Sequence, residues 1–64
     1  MIHVNGNEEE FLPETIEALL QRLDIDSRGI AVAINGEILR RAEWPSTVVQ
    51  DRCSIEIVTA AAGG

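Results

Sequence analysis

The sequence has few of the residues that cross-link small domains or bind structural metals. It contains one cysteine, Cys53, one histidine, His3, and no lysine. A disulfide framework or a structural zinc site needs several cysteines or histidines at set spacings, and this chain does not supply them. The fold must therefore depend on its apolar core, and we expect no metal site.

Long apolar runs and basic segments are also missing. No stretch approaches the roughly 20 apolar residues of a membrane-spanning helix, and Met1 is not followed by the pattern of a signal peptide. The 64 residues include 11 acidic and 5 basic side chains, for a net charge of −6. Such a charge repels nucleic-acid phosphates and anionic lipids. We therefore expect a cytoplasmic protein whose partners are neither nucleic acid nor membrane.

The first third of the chain predicts a hairpin followed by a helix. Ile2 and Val4 alternate with polar residues, and Asn5-Gly6-Asn7 is a strong hairpin signal. We expect a glutamate-rich return strand at an exposed sheet edge, anchored by Phe11 and Leu12. Thr15 is suited to cap a helix over residues 16–23, whose apolar stripe is formed by Ile16, Leu19, Leu20 and Leu23.

The rest of the chain predicts three further strands. Residues 30–34 alternate between large apolar side chains and two alanines, Ala31 and Ala33, so the outer face of this strand is small and uncharged. Asn35-Gly36 predicts a second hairpin, with a return strand over residues 37–40. After an irregular connection over residues 41–45, a last strand covers residues 54–59, with Ile55 and Ile57 facing inward.

This order of elements predicts an α+β fold with one helix packed on a mixed sheet of four to five strands. If the first and last strands pair in parallel at the centre of the sheet, the arrangement is the β-grasp of ubiquitin. We expect residues 1–59 to form this single domain and residues 60–64 to form a flexible tail.

The tail carries the candidate functional group. Its small residues have no reactive side chain, so any reactivity lies in the carboxylate of Gly64. Glycine passes through narrow channels and gives an activated acyl group without a stereocentre. The absence of lysine leaves no ε-amine to attack such a group, although a codon bias toward arginine explains the same observation. Most chain ends are small and frayed without any function.

The chain resembles, over its whole length, the ThiS family of sulfur carrier proteins of bacterial thiamine biosynthesis. The most specific part of the resemblance is the second half. The motifs that carry it occur in the family's order and spacing, and they are Ala31-Val32-Ala33-Ile34-Asn35-Gly36-Glu37-Ile38, Arg41-Ala42-Glu43-Trp44, Gln50-Asp51, Ile55-Glu56-Ile57-Val58 and the terminal Gly63-Gly64. The chain departs from the family at Arg40, where proline is common, and at Asp51-Arg52-Cys53, where Asp-Gly-Asp is usual.

The resemblance implies a protein co-substrate that is not itself an enzyme and binds no cofactor. An E1-like adenylating enzyme, ThiF, would use ATP to adenylate the Gly64 carboxylate. Sulfur from a persulfide, supplied by a cysteine desulfurase, would then give a thiocarboxylate for thiazole synthase, ThiG. The segment that enters the partner sites would be Ala60, Ala61, Ala62 and Gly63, and the residues that dock the partners would be Ala31, Ala33, Arg41, Trp44 and Val58.

The sequence is also compatible with other functions. Cys53 could carry the sulfur as a persulfide, although a lone cysteine entering a strand is more often a packing residue. The chain could instead supply a thiocarboxylate for molybdopterin synthesis or tRNA thiolation. It could also be a ubiquitin-like protein modifier, or a passive β-grasp interaction module.

Overall fold

The protein is described by a computed structural model covering residues 1–59. Within these residues, five strands, one α-helix and one short 3-10 helix follow each other. In order they are β1 (Ile2–Val4), β2 (Asn7–Glu9), α1 (Ile16–Arg22), β3 (Ile30–Ile34), β4 (Glu37–Leu39), the 3-10 helix (Arg41–Ser46) and β5 (Ser54–Thr59).

The strands form one sheet in the order β2-β1-β5-β3-β4. β1 and β5 pair in parallel, with Val4 opposite Ile55, while the other neighbouring strands pair antiparallel. This central parallel pair confirms the predicted β-grasp arrangement. The glutamate-rich strand β2 lies at the sheet edge, as expected, where its charges oppose pairing with another chain.

Both Asn-Gly hairpins form as the sequence predicts. Asn5 and Asn35 have φ values of 52° and 50°, and Gly6 and Gly36 follow at 84° and 87°. Two successive residues at positive φ define the type I′ turn, whose twist matches that of the flanking strands. Each turn therefore fixes the register of its hairpin.

Helix α1 covers one face of the sheet. The Thr15 hydroxyl accepts a hydrogen bond from the Ala18 N–H at 3.1 Å, which confirms the predicted N-cap. The helix ends at Arg22, one residue before the predicted end, and Leu23 is its C-cap. The buried core consists of Ile2, Val4, Ile16, Leu19, Leu20, Val32, Trp44, Val49, Cys53 and Ile55.

Two strands are shorter than predicted. β2 ends at Glu9, because its only ladder is with the three residues of β1 and the last pair is Ile2 with Glu9. Phe11 therefore follows the strand and packs against the core from a loop. β4 ends at Leu39, and the predicted irregular connection is the 3-10 helix, which begins after Arg40.

The turn before β5 uses arginine where the family usually has glycine. Arg52 has a φ of 69°, so the left-handed backbone is retained. The Arg52 N–H donates to the Met1 carbonyl at 3.0 Å, and the Met1 ammonium donates to Asp51 at the same distance. This hydrogen bond from the ammonium group lowers the pKa of Asp51 below its usual value.

Candidate functional site

The candidate tail leaves the protein from the central strand. β5 lies between β1 and β3, and Ile55 in its middle is fully buried. Thr59 is the last described residue and pairs with Ile30 of β3. The predicted site residues Ala60, Ala61, Ala62, Gly63 and Gly64 lie outside the described residues. The structure thus defines the base of the tail.

Three of the five predicted docking residues come together on the sheet face opposite the helix. Val58 lies opposite Ala31, and Ala33 lies opposite Ile38 on the edge strand. Val58 is 59% exposed and Ile38 is 75% exposed, and a shallow groove of about 220 Å³ runs between them. We call Ala31, Ala33, Ile38 and Val58 the outer patch.

Ile38 is a member of the outer patch that the sequence reasoning missed. A signal for it was present, because β4 has three residues and contains two adjacent apolar ones, Ile38 and Leu39. Successive strand side chains point to opposite faces, so only one of the two can face the helix. Leu39 packs against the core, and Ile38 is therefore left on the outer face.

The other half of the same face is polar and acidic. The ladders place His3 opposite both Glu8 and Ser54, and Glu56 opposite Ala33. Because directly opposed residues share a face, these side chains lie on the same side of the sheet as the outer patch. Glu56 also lines the groove of the outer patch, so the face combines an apolar half with a polar half that carries Glu8, and Glu56 lies at their boundary.

Arg41 and Trp44 do not join the outer patch. Trp44 is only 3% exposed, and its Nε1 donates to the Leu39 carbonyl at 3.4 Å. The Arg41 guanidinium stacks 4.5 Å from the centre of the Trp44 ring and donates to the Ser27 carbonyl. Both residues line a cleft against α1. Their predicted docking role stays a prediction, and in the structure they hold the connection to the helix.

Cys53 is packed in the core. Its side chain is 3% exposed and belongs to the main apolar cluster. A thiol in this position cannot meet an external persulfide unless the core opens, so the placement argues against Cys53 as the sulfur carrier. Within residues 1–59, no cluster of three or more His, Cys, Asp and Glu side chains could hold a metal ion. In the same range, no helix has the length and apolarity needed to cross a membrane.

Comparison with known proteins gives a consistent result. The model of the ThiS family matches residues 2–64. The sulfur carrier protein ThiS of Escherichia coli is 39% identical over 51 residues, which cover 80% of this chain and 77% of that protein. The crystal structure of the thiamine biosynthesis protein ThiS from Geobacter metallireducens superposes with a TM-score of 0.85 at 27% identity, covering 98% of this chain and 97% of that one.

A much longer relative also contains a similar segment. A thiazole synthase of Paramagnetospirillum magneticum is 40% identical over 62 residues, which cover 95% of this chain. The chain spans only 19% of the length of that protein. A segment like this one is therefore part of a longer polypeptide named for the synthase.

Proposed function

The chain belongs to the ThiS family, and from this membership we propose that it is a sulfur carrier for the thiazole moiety of thiamine. The observation that carries the proposal is the family match over residues 2–64, which includes the Gly63-Gly64 end. In this role the chain is a protein co-substrate, consumed and regenerated by other enzymes, and not a catalyst.

The first proposed step activates the Gly64 carboxylate. A carboxylate is ionised at neutral pH and does not react with nucleophiles. An adenylating enzyme of the ThiF type transfers AMP from ATP to a carboxylate oxygen and releases pyrophosphate, which gives the acyl carbon a leaving group. ATP is bound by the partner and not by this chain.

The second proposed step installs sulfur. The terminal sulfur of a persulfide, formed with a cysteine desulfurase, attacks the acyl carbon and displaces AMP. A second thiol then attacks the donor sulfur of the acyl disulfide and breaks the S–S bond, which leaves a thiocarboxylate at Gly64 and a disulfide between the donor and the thiol. The burial of Cys53 supports an external persulfide as the sulfur source.

The proposed acceptor of the sulfur is a thiazole synthase of the ThiG type. The similarity of this chain to a segment of a thiazole synthase supports this choice. A carrier built into the same polypeptide as its acceptor is always close to it, and a separate carrier must dock instead. The five tail residues span about 16 to 18 Å when extended, which is enough to reach a buried site from a body docked outside.

We propose that the outer patch is the docking surface. It is apolar, its two large side chains are exposed, and it includes Val58 of β5, the strand that leads into the tail. A partner that covers it should present apolar side chains at the centre and basic side chains toward Glu56 and Glu8. Val58 is central in this proposal because it lies one residue before Thr59, at the base of the tail.

AMP release tests the activation and sulfur-transfer steps together, because activation releases pyrophosphate and AMP leaves only when the persulfide attacks. The purified chain is incubated with ATP, a ThiF-type enzyme and a persulfide donor, beside a variant that lacks Gly64. We expect AMP release from the full chain and none above background from the variant, because its carboxylate stops about 3.3 to 3.6 Å short of the reacting position. Equal melting temperatures would show that both are folded. Equal AMP release from the two chains would contradict the proposal.

A further inference from the structure

The side chain of Asn5 pairs with the backbone of β5 beyond the point where strand β1 ends. The ladder between β1 and β5 ends at Val4 and Ile55, and the Asn5 N–H donates to the Ile55 carbonyl at 2.9 Å. Beyond that point the Asn5 amide continues the pairing. Its Oδ1 accepts from the Ile57 N–H at 2.8 Å, and its Nδ2 donates to the Ile57 carbonyl at 3.1 Å.

The backbone conformation of Asn5 permits this contact. At a φ of 52° the chain turns back toward β2 while the side chain points along β5. Asparagine tolerates this left-handed conformation better than most residues. Strand β1 can therefore end in a tight hairpin without leaving the Ile57 backbone groups unpaired on that side.

The contact lies close to the base of the tail. Ile57 is two residues before Thr59, the last residue of β5. On the opposite side, β3 pairs with β5 as far as Thr59. Among residues 1–59, Asn5 makes the hydrogen bonds nearest to Thr59 on the β1 side. Its amide thus fixes the strand end from the side that has no further strand.

We infer that Asn5 is a positioning residue for the tail: its side-chain amide sets the direction in which the chain leaves β5 toward the adenylating site. The inference rests on the proposed function. A tail with a fixed base has fewer conformations to lose when it enters a narrow site. A larger share of docked complexes then places the carboxylate correctly.

The chain contains a matched control for this residue. Asn35 occupies the same position in the other Asn-Gly hairpin, with a φ of 50°. Its Oδ1 accepts from the Ser54 N–H at 2.9 Å, and its own N–H donates to the Ser54 carbonyl at 2.7 Å. Asn35 therefore holds the first residue of β5, far from the tail. Replacing either asparagine by glycine removes the amide and keeps the turn conformation.

Steady-state kinetics separate positioning from folding. With ATP and a persulfide donor in excess, AMP release by a ThiF-type enzyme is measured against carrier concentration at a temperature where every chain is folded. The chains compared are wild type, Asn5→Gly, Asn5→Asp and Asn35→Gly. We expect Asn5→Gly to lower kcat at least about fivefold with KM within about twofold, because docking is intact while alignment is lost. Asn5→Asp keeps the acceptor for the Ile57 N–H but loses the donor, so its kcat should lie between those of wild type and Asn5→Gly. Asn35→Gly should leave both constants within about twofold.

An NMR measurement on the isolated chain tests the same inference without a partner. Asn5→Gly should speed amide hydrogen exchange at Ile57 and lower the backbone order parameter of Thr59. Asn35→Gly should speed amide exchange at Ser54 and leave the order parameter of Thr59 unchanged. Equal losses of kcat in the two glycine variants, or an unchanged Thr59 in Asn5→Gly, would overturn the inference. Absence of AMP release from wild type would overturn the proposed function instead, and the order of Thr59 would still decide whether Asn5 holds the tail base.

Discussion

At the scale of single residues, the backbone conformations separate ordinary turns from a strained one. Within residues 1–59, the non-glycine residues at positive φ are Asn5, Asp24, Asn35 and Arg52. Asparagine and aspartate are enriched in this region because their short polar side chains bond locally to the backbone. Arginine has no such compensation. The left-handed backbone at Arg52 is therefore strained.

Replacing Arg52 by glycine should stabilise the protein. The Arg52 N–H still donates to the Met1 carbonyl, and the left-handed strain is removed, so we expect the free energy of unfolding to rise by about 0.5 to 1 kcal/mol. Urea denaturation measures the change. Arg40→Gly is the control. Arg40 has an ordinary φ of −69°, so the same substitution there should destabilise the protein. Destabilisation of Arg52→Gly to the same degree would contradict this account of the turn.

At the scale of elements, the sequence predicts what local patterns determine. The Asn-Gly turns, the Thr15 cap and the apolar stripe of α1 fix both hairpins and the helix almost to the residue. The length of β2 could not be predicted, because it depends on how many residues β1 offers as a partner. Arg40 has a φ of −69°, a value that proline also adopts, so the proline that the resemblance leads one to expect would fit at this position.

In the candidate site, local patterns predict the positions of the strand residues but not those of Arg41 and Trp44. Alternation in β3 and β5 is enough to place Ala31, Ala33 and Val58 on one face, and the ladders confirm it. The connection after β4 carries no such period. In a 3-10 helix, residues three apart lie on the same side, so Arg41 stacks on Trp44 and both turn toward α1. Sequence spacing alone does not reveal that turn.

At the scale of the whole molecule, residues 1–59 leave one face of the sheet uncovered. Helix α1 and the 3-10 helix pack on the other face, and the core lies between them and the sheet. Because β5 is the central strand, its last described residue, Thr59, lies beside the outer patch and not at a sheet edge. A partner can therefore bind the patch and receive the tail through a single contact surface.

Charge placed in the outer patch should weaken docking selectively. Val58→Glu should raise the KM for the carrier in AMP release at least about tenfold, because a buried, unpaired carboxylate opposes association. Val48→Glu is the control, because the exposed fractions of Val48 and Val58 are similar, 51% and 59%. Val48 lies outside the outer patch, in the loop that bridges to Thr15, so its substitution should leave the KM unchanged. Similar KM values for Val58→Glu and wild type would exclude the patch as the docking surface.

The most direct test of the central claim is the intact mass of the chain purified from sulfur-replete cells that contain a ThiF-type enzyme and a persulfide source. We predict a species heavier than the unmodified chain by the replacement of one oxygen with one sulfur, and no such species for a variant without Gly64. A wild-type chain found only unmodified, or found joined to lysines of other proteins, would contradict the sulfur-carrier function.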